Sequence, residues 1–435
     1  METAAIDKFE DKTEQMKTTY FPKIEDIGEA AERLRSVVRK TPLDEHERLS
    51  EKYGANIWLK REDLQKVRSY KIRGAFNKIS SLTEAEKANG IVCASAGNHA
   101  QGVALSCFNL QIKGTIFMPT TTPKQKIRKV KSFGKEYVQV ILQGDSFDDA
   151  KEACVAFAND NNAVIIPPFE NEKIIEGQAT VAMEVLHQAP SKIDYLFVPI
   201  GGGGLCAGMS TVFKHLSPYT KIIGIEPVGA PAMYQSLKEG KVVTLKEIET
   251  FADGVAVKRV GQLNFDIIKS TIHDMRLVHE GKICETMLEL YNEDAIVVEP
   301  AGALSISVLD DFKEEIKGKN VVCVVSGGNN DITRTEEVRE RALLYRGLKH
   351  YFVVNFPQRA GALKDFVNDI LGENDDIVFF EYNKSNDKSF GQALVGIEVK
   401  RAEDFVALKA RMIKHNFLGE YLNAKPNLFN YLIGS

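Results

Sequence analysis

The sequence predicts an α/β protein with two parallel-sheet subdomains, followed by a smaller ferredoxin-like module. Three observations predict it. Short, almost wholly apolar segments alternate with helical ones from residue 57 to residue 325, the pattern of parallel strands covered on both faces by crossover helices. Three glycine-bearing motifs, S-A-G-N-H at 95–99, G-G-G-G-L at 201–205 and S-G-G-N-N at 326–330, each follow such a segment, and sheets of this kind bind ligands at the carboxyl ends of their strands. Past residue 340 the order becomes βαββα, with further apolar residues at 429–432, which suggests a βαββαβ module of ferredoxin type.

Each element follows from its residues. Residues 1–21 are polar and acidic and read as a leader extension, without the apolar segment of a secretory signal. Ile24, Ile27, Ala31, Leu34 and Val38 then recur at helical spacing until Pro42 stops the pattern. Strands are expected at 57–60, 90–94, 114–118, 138–142, 164–166, 195–200, 222–226 and 320–325, with crossover helices at 98–109, 146–159, 172–187 and 204–215. The charged segment 336–348 reads as a surface helix serving as a linker. In the last module, strands are expected at 351–355, 376–382 and 392–399 and helices at 361–371 and 402–413, with a polar turn at 383–391.

Composition narrows the function. A chain of 435 residues exceeds one compact core and calls for two or three domains. A net charge of −4 gives no basic field for nucleic acid. The basic run at 123–135 is the solvated face of a helix starting at Pro123. Six cysteines lie scattered, with no C-x-x-C pair and no zinc-type histidine spacing, which fits a reducing cytoplasm. No run of 18 uncharged apolar residues is present, so no membrane span is expected.

The chemistry begins at Lys71, in R-S-Y-K-I-R-G-A at 68–75. An amine that forms an imine needs a neutral fraction near pH 7, which an apolar or cationic neighbourhood supplies; Arg68 and Arg73 flank it, and Tyr70 is placed to cover a cofactor ring. Gly201, Gly202, Gly203 and Gly204 lead into a helix, where backbone N–H groups free of side chains can converge on an anion. No G-K-[ST] follows, which excludes a Walker loop, and Cys206 stands where a dinucleotide fingerprint needs its third glycine. The Ser95 hydroxyl and the N–H groups of its loop suit a substrate carboxylate. One amine with glycine turns suggests a covalently held aldehyde cofactor.

These motifs, with K-R-E-D-L-Q at 60–65 and S-Y-K-I-R-G-A at 69–75, resemble those of the fold-type II pyridoxal-phosphate enzymes, the tryptophan synthase β-like fold. Over residues 22–435 the chain resembles the biosynthetic threonine dehydratases. The resemblance implies pyridoxal 5'-phosphate as cofactor, anchored by Lys71, which also removes the substrate α-proton. It implies further that Asn98 meets the ring hydroxyl, that Gly201 to Gly204 and Leu205 hold the phosphate, and that Ser326 meets the ring nitrogen. Ser95, Ala96, Gly97, Asn98 and His99 form the substrate loop, with His99 outside the catalytic set. A neutral hydroxyl at the ring nitrogen makes a weaker electron sink than an acid, which suits β-elimination. Threonine would give 2-oxobutanoate and ammonia, the committed step towards isoleucine, and serine would give pyruvate.

Departures from relatives refine this. Racemising relatives carry Ser where this chain has Ala96, and bind a divalent metal through a pattern that here has Glu226 but Ala232. Racemisation and a divalent metal are therefore not expected; a monovalent-cation site stays open. F-P-Q-R-A-G-A-L at 356–363 resembles an ACT-like regulatory domain, implying isoleucine as allosteric effector with valine as antagonist, and a homotetramer. The resulting division is a leader at 1–21, a catalytic domain at 22–335, a linker helix at 336–348 and an ACT-like domain at 349–435. Two other readings stay open: a β-replacement enzyme such as cysteine synthase, and a non-catalytic amino-acid sensor using the C-terminal module.

Overall fold

The computed structural model describes residues 20–382 and 390–433. The leader, apart from its last two residues, and most of the polar turn at 383–391 lie outside the described residues. The strands are β1 (Leu43–Glu45), β2 (Asn56–Arg61), β3 (Ile91–Ala94), β4 (Gly114–Met118), β5 (Val138–Leu142), β6 (Val164–Ile165), β7 (Tyr195–Pro199), β8 (Lys221–Pro227), β9 (Asp274–Val278), β10 (Asn320–Val325), β11 (Lys349–Pro357), β12 (Asp376–Tyr382), β13 (Phe390–Glu398) and β14 (Leu418–Tyr421). They form a six-stranded sheet, β1-β2-β10-β7-β8-β9, and two four-stranded sheets, β5-β4-β3-β6 and β12-β13-β11-β14. The first is parallel except for β1, the second wholly parallel and the third antiparallel.

The apolar runs occupy the centre, as burial on both faces demands. Every residue of β7 and Val321–Val325 of β10 are buried. Parallel pairing of Val321 with Tyr195 and of Cys323 with Phe197 brings the two strand ends to one edge. The turns that follow, at 200–204 and 326–330, open there side by side.

Close helix contacts join the two parallel sheets. Helix Asn98–Leu110, which follows β3, meets helix Lys71–Ser80 at Gly102, where an added Cβ would lie 3.2 Å from the Lys71 carbonyl. Helix Lys71–Ser80 meets helix Glu172–Gln188 at Gly177, where a Cβ would come within 2.6 Å of Arg73 O. That helix in turn meets Gly204–Leu216 at Gly208, with Ile175 O at 2.6 Å from an added Cβ. Backbones this close set the three glycine motifs and Lys71 in one place.

Several elements differ from the sequence expectation. The strands β1 and β9 sit at sheet edges; their residues L-D-E and D-M-R-L-V alternate with charge and lack a buried-strand signature. The first helix ends at Leu34, ahead of Val38. The ferredoxin-like module closes with β14, and the apolar residues at 429–432 lie in helix Pro426–Leu432, whose Phe429 ring packs on Tyr351 at 5.4 Å. Helix Thr335–Tyr345 buries Val338 and Ala342 in the core of the six-stranded sheet. Its polar side reaches the last module through Arg339–Glu398 at 2.8 Å and the Tyr351 hydroxyl, which donates to Glu340 at 2.7 Å.

Candidate active site

Lys71 opens helix Lys71–Ser80, and the loop before it is sewn to the turn after β10. Tyr70 N donates to Ser326 O at 3.2 Å, Gly328 N to Arg68 O at 2.9 Å, and Ser69 bridges Gly327. Arg68 takes a left-handed φ of 57° to make this join. Lys71 and Ser326 are thereby neighbours across 255 residues of chain. The Lys71 Nζ donates to Pro168 O at 3.0 Å and stands 5.4 Å from the Tyr70 ring centre.

Burial pushes the Lys71 amine down to about 8, against a partial pull upward from Glu299. Flanking cations are not the cause. Arg68 Nε donates to Gly328 O at 3.2 Å. Arg73 turns away, into a buried network with Glu62 at 2.7 and 2.8 Å and Glu184 at 2.8 and 3.0 Å. Lys60, buried alongside, donates to Glu184 at 2.7 Å, so two cations meet two carboxylates. This network fastens the first turn of the Lys71 helix to β2 and helix Glu172–Gln188. The arginine therefore serves position, while desolvation alone weakens the ammonium.

The S-A-G-N-H loop supplies Asn98, whose amide is held at both ends. Its Nδ2 donates to Glu299 Oε1 at 2.7 Å, and its Oδ1 accepts from Asn329 Nδ2 at 2.7 Å. Asn329 N donates to Glu299 Oε2 at 3.3 Å. Ser95 Oγ accepts from Gly97 N at 3.3 Å. His99 is buried with Nε2 2.9 Å from Ile166 O, and burial first, the Lys71 charge second, hold its imidazole down near about 3. A carbonyl only accepts, so the proton sits on Nε2 and the ring is neutral.

Glu299 is the residue of this cluster that sequence reasoning missed. It stands just before helix Pro300–Ser307 without a side-chain capping bond, and burial raises its carboxyl to about 7, with the Asp253 charge adding to the rise and the Asn98 and Asn329 N–H groups opposing it. The available signal was one acid inside V-V-E-P-A-G-A-L at 297–304, a stretch otherwise apolar.

The glycine turn carries the fourth part of the site. Ile200 N donates to Ile225 O, and Gly203 turns the chain at φ 94° into helix Gly204–Leu216. A Cβ on Gly202 would stand 2.2 Å from the Phe169 ring, and one on Gly201 would stand 2.9 Å from Val255 Cα. The first-turn N–H groups of that helix have no partner within it, and the positive end of its dipole faces the same way. Phe169 directly follows Pro168, which holds the Lys71 amine, so this segment bridges amine and turn. Ser326 is buried at the end of β10 and donates to Ala301 O at 3.1 Å.

A buried, weakened amine, a turn that any Cβ would fill and a neutral buried hydroxyl suit a phosphorylated aromatic aldehyde. Glu226 is engaged otherwise: its carboxylate accepts from Met233 N and Tyr234 N, both at 2.8 Å, and burial raises it to about 8. Among the described residues no group of three or more His, Cys, Asp or Glu stands ready for a metal, and no helix is long and apolar enough to cross a membrane.

Comparison with known proteins agrees with this geometry. Residues 34–327 match the family described as pyridoxal-phosphate dependent enzyme, and residues 340–432 match the C-terminal regulatory domain of threonine dehydratase. The biosynthetic L-threonine dehydratase of Halalkalibacterium halodurans is 57% identical over 410 residues, covering 94% of this chain and 99% of its own. The chain belongs to the pyridoxal-phosphate-dependent threonine dehydratase family. Another member, from Bacillus subtilis, is 50% identical over 96% of this chain and 99% of its own. The family's fold is shared with the solved threonine deaminase isoform 2 of Solanum lycopersicum, with a TM-score of 0.70, 39% identity, and coverage of 74% of this chain and 95% of that one. A maize serine racemase has the same fold, with a TM-score of 0.69, 31% identity, and coverage of 75% and 99%.

Proposed function

We propose that this protein dehydrates and deaminates L-threonine to 2-oxobutanoate and ammonia, and acts on L-serine as well. The observation that carries the reading is the buried Lys71 amine, bonded to Pro168 O at 3.0 Å next to the Phe169 that packs on the glycine turn, with its basicity lowered to about 8. Lys71 Nζ would hold the aldehyde carbon of pyridoxal 5'-phosphate. Gly201 to Gly204 and Leu205 would hold the phosphate, Asn98 the ring hydroxyl and Ser326 the ring nitrogen. Bound there, the cofactor withdraws electrons from the substrate Cα and so loosens its proton.

The protein's own groups do the rest. Once the substrate's amino group has displaced it from the aldehyde, Lys71 would be a free amine; at pH 7.5 an amine of pKa about 8 is roughly a quarter neutral, against about one part in a thousand for an ordinary lysine, so Nζ can take the α-proton. The Ser95 hydroxyl and the N–H groups of Gly97 and Asn98 receive the substrate carboxylate at the start of a helix. Glu299 and Asn329 keep the Asn98 amide from rotating. Ala96 has no proton to give on the far side, which favours elimination of the β-hydroxyl over return of the proton with inversion.

The regulatory-domain match over residues 340–432 supports feedback control; the effector proposed is isoleucine, with valine as antagonist, and the assembly a homotetramer. Six free, buried cysteines support a cytoplasmic setting. Assay of 2-oxobutanoate release from threonine, with sulfide added in a parallel set, tests the reading. Turnover only with a sulfur nucleophile would favour β-replacement instead.

A further inference from the structure

We propose that Asn264 is a positioning residue that aims the glycine turn at the cofactor phosphate and ties that turn to the segment holding Lys71; this rests on the reading of Gly201 to Gly204 as the phosphate cradle. Asn264 lies in the first turn of helix Gln262–Thr271, within V-G-Q-L-N-F at 260–265, and is fully buried. Its carboxamide stands 2.7 Å from Gly202 O and 3.3 Å from Phe169 O. Carbonyl oxygens accept only, so the NH2 end faces both and Oδ1 points away. That Oδ1 has no partner among the described residues. An apolar side chain of the same shape would fill the slot without leaving a buried oxygen unpaired. The amide is explained by what its NH2 group does.

What it does is fix a peptide plane. Gly202 C=O and Gly203 N–H belong to one trans peptide and point in opposite directions. With glycine on both sides, that plane has little steric preference of its own. Asn264 Nδ2 and Gly261 N, the latter at 3.3 Å, take the Gly202 oxygen from one side. That side is closed by protein: a Cβ on Gly203 would meet Asn264 Cβ at 2.9 Å and Met233 Cε at 3.0 Å. The Gly203 N–H is thereby turned to the opposite side, beside the first amides of helix Gly204–Leu216. The second bond, to Phe169 O, reaches the residue after Pro168, whose carbonyl holds the Lys71 amine at 3.0 Å. One side chain thus sets the spacing between the turn and the amine, which a single cofactor must span.

The test uses the full chain stripped of cofactor and titrated with pyridoxal 5'-phosphate. Absorbance gives the affinity, phosphorus NMR of the bound phosphate reports its surroundings, and melting of the apo protein reports the fold. Asn264→Leu keeps the shape and removes both donors. It is expected to melt like wild type, to bind cofactor about tenfold or more weakly, and to shift or broaden the phosphorus signal. Gly203→Ala is the control for the turn itself. Wild-type affinity and an unchanged phosphorus signal in Asn264→Leu, with weakened binding in Gly203→Ala, would overturn the role of Asn264 alone. Unaltered binding in both would overturn the cradle reading and this inference together. If Asn264→Leu does not fold, Asn264→Ser decides: one donor remains, affinity between wild type and Gly203→Ala supports the inference, and wild-type affinity with an unchanged signal contradicts it.

Discussion

The side-chain amide of Asn98 donates to the Glu299 carboxylate at 2.7 Å, joining residues 201 positions apart in sequence. The other carboxylate oxygen takes Asn329 N, so Glu299 braces the first and third glycine motifs at once. Hydrogen bonds to a buried charge contribute about 1.5–3 kcal/mol each. Glu299→Ala is therefore expected to lower kcat/KM for threonine by roughly ten- to a hundredfold through Asn98. Steady-state kinetics check this; a variant with unimpaired kcat/KM would show that Asn98 needs no brace.

The same carboxylate sets a pH dependence. Lys71, once substrate has displaced it from the aldehyde, must be neutral to accept a proton, so kcat should rise with pH through a group at about 8. The Glu299 charge raises that amine, and Glu299→Gln removes the charge while keeping an acceptor for Asn98. The acid limb of the profile should therefore move to lower pH. A limb that stays in place or moves upward would refute the coupling.

Arg73 is expected to matter for stability before chemistry. Its guanidinium is buried between Glu62 and Glu184, and removing one partner of such a network costs about 3–5 kcal/mol. Arg73→Ala should lower the midpoint of urea unfolding strongly, because Glu62 is left buried with Lys60 as its nearest cation.

Helix Thr335–Tyr345 connects the regulatory module to the glycine turn. Arg341 pairs with Glu249 at 2.5 Å, and Arg334 and Arg341 lie 4.8 and 4.5 Å from the Phe251 ring centre. Four residues on, Val255 Cα stands 2.9 Å from where a Cβ on Gly201 would lie. Arg341→Ala should leave turnover without effector within about twofold, since a partly exposed pair contributes little, while weakening the isoleucine inhibition proposed above. Dose–response curves for both proteins measure this; unchanged inhibition would place the coupling elsewhere.

Much of this was legible in the sequence, for physical reasons. Continuous apolar strands such as V-V-C-V-V read as buried parallel strands without tertiary information, and glycines at 201–204 announce a backbone that must come close to something. Glu299 was not legible, because only the topology brings residue 299 beside Asn98. Arg73 was misread as a neighbour of the Lys71 amine: two residues on in sequence, it leaves the helix on another face, towards Glu62. Asn264 carries no motif, and its bearing on Gly202 arises wholly from packing. The edge strands β1 and β9 were missed because one exposed side permits charge where the expected pattern was apolar.

The most direct test of the central claim is borohydride reduction of the cofactor-loaded protein followed by peptide mapping, with Lys71→Ala assayed beside it. The account predicts a pyridoxyl group on the peptide carrying Lys71 and no threonine turnover in the variant. A stable label on another lysine, or normal turnover without Lys71, would contradict it.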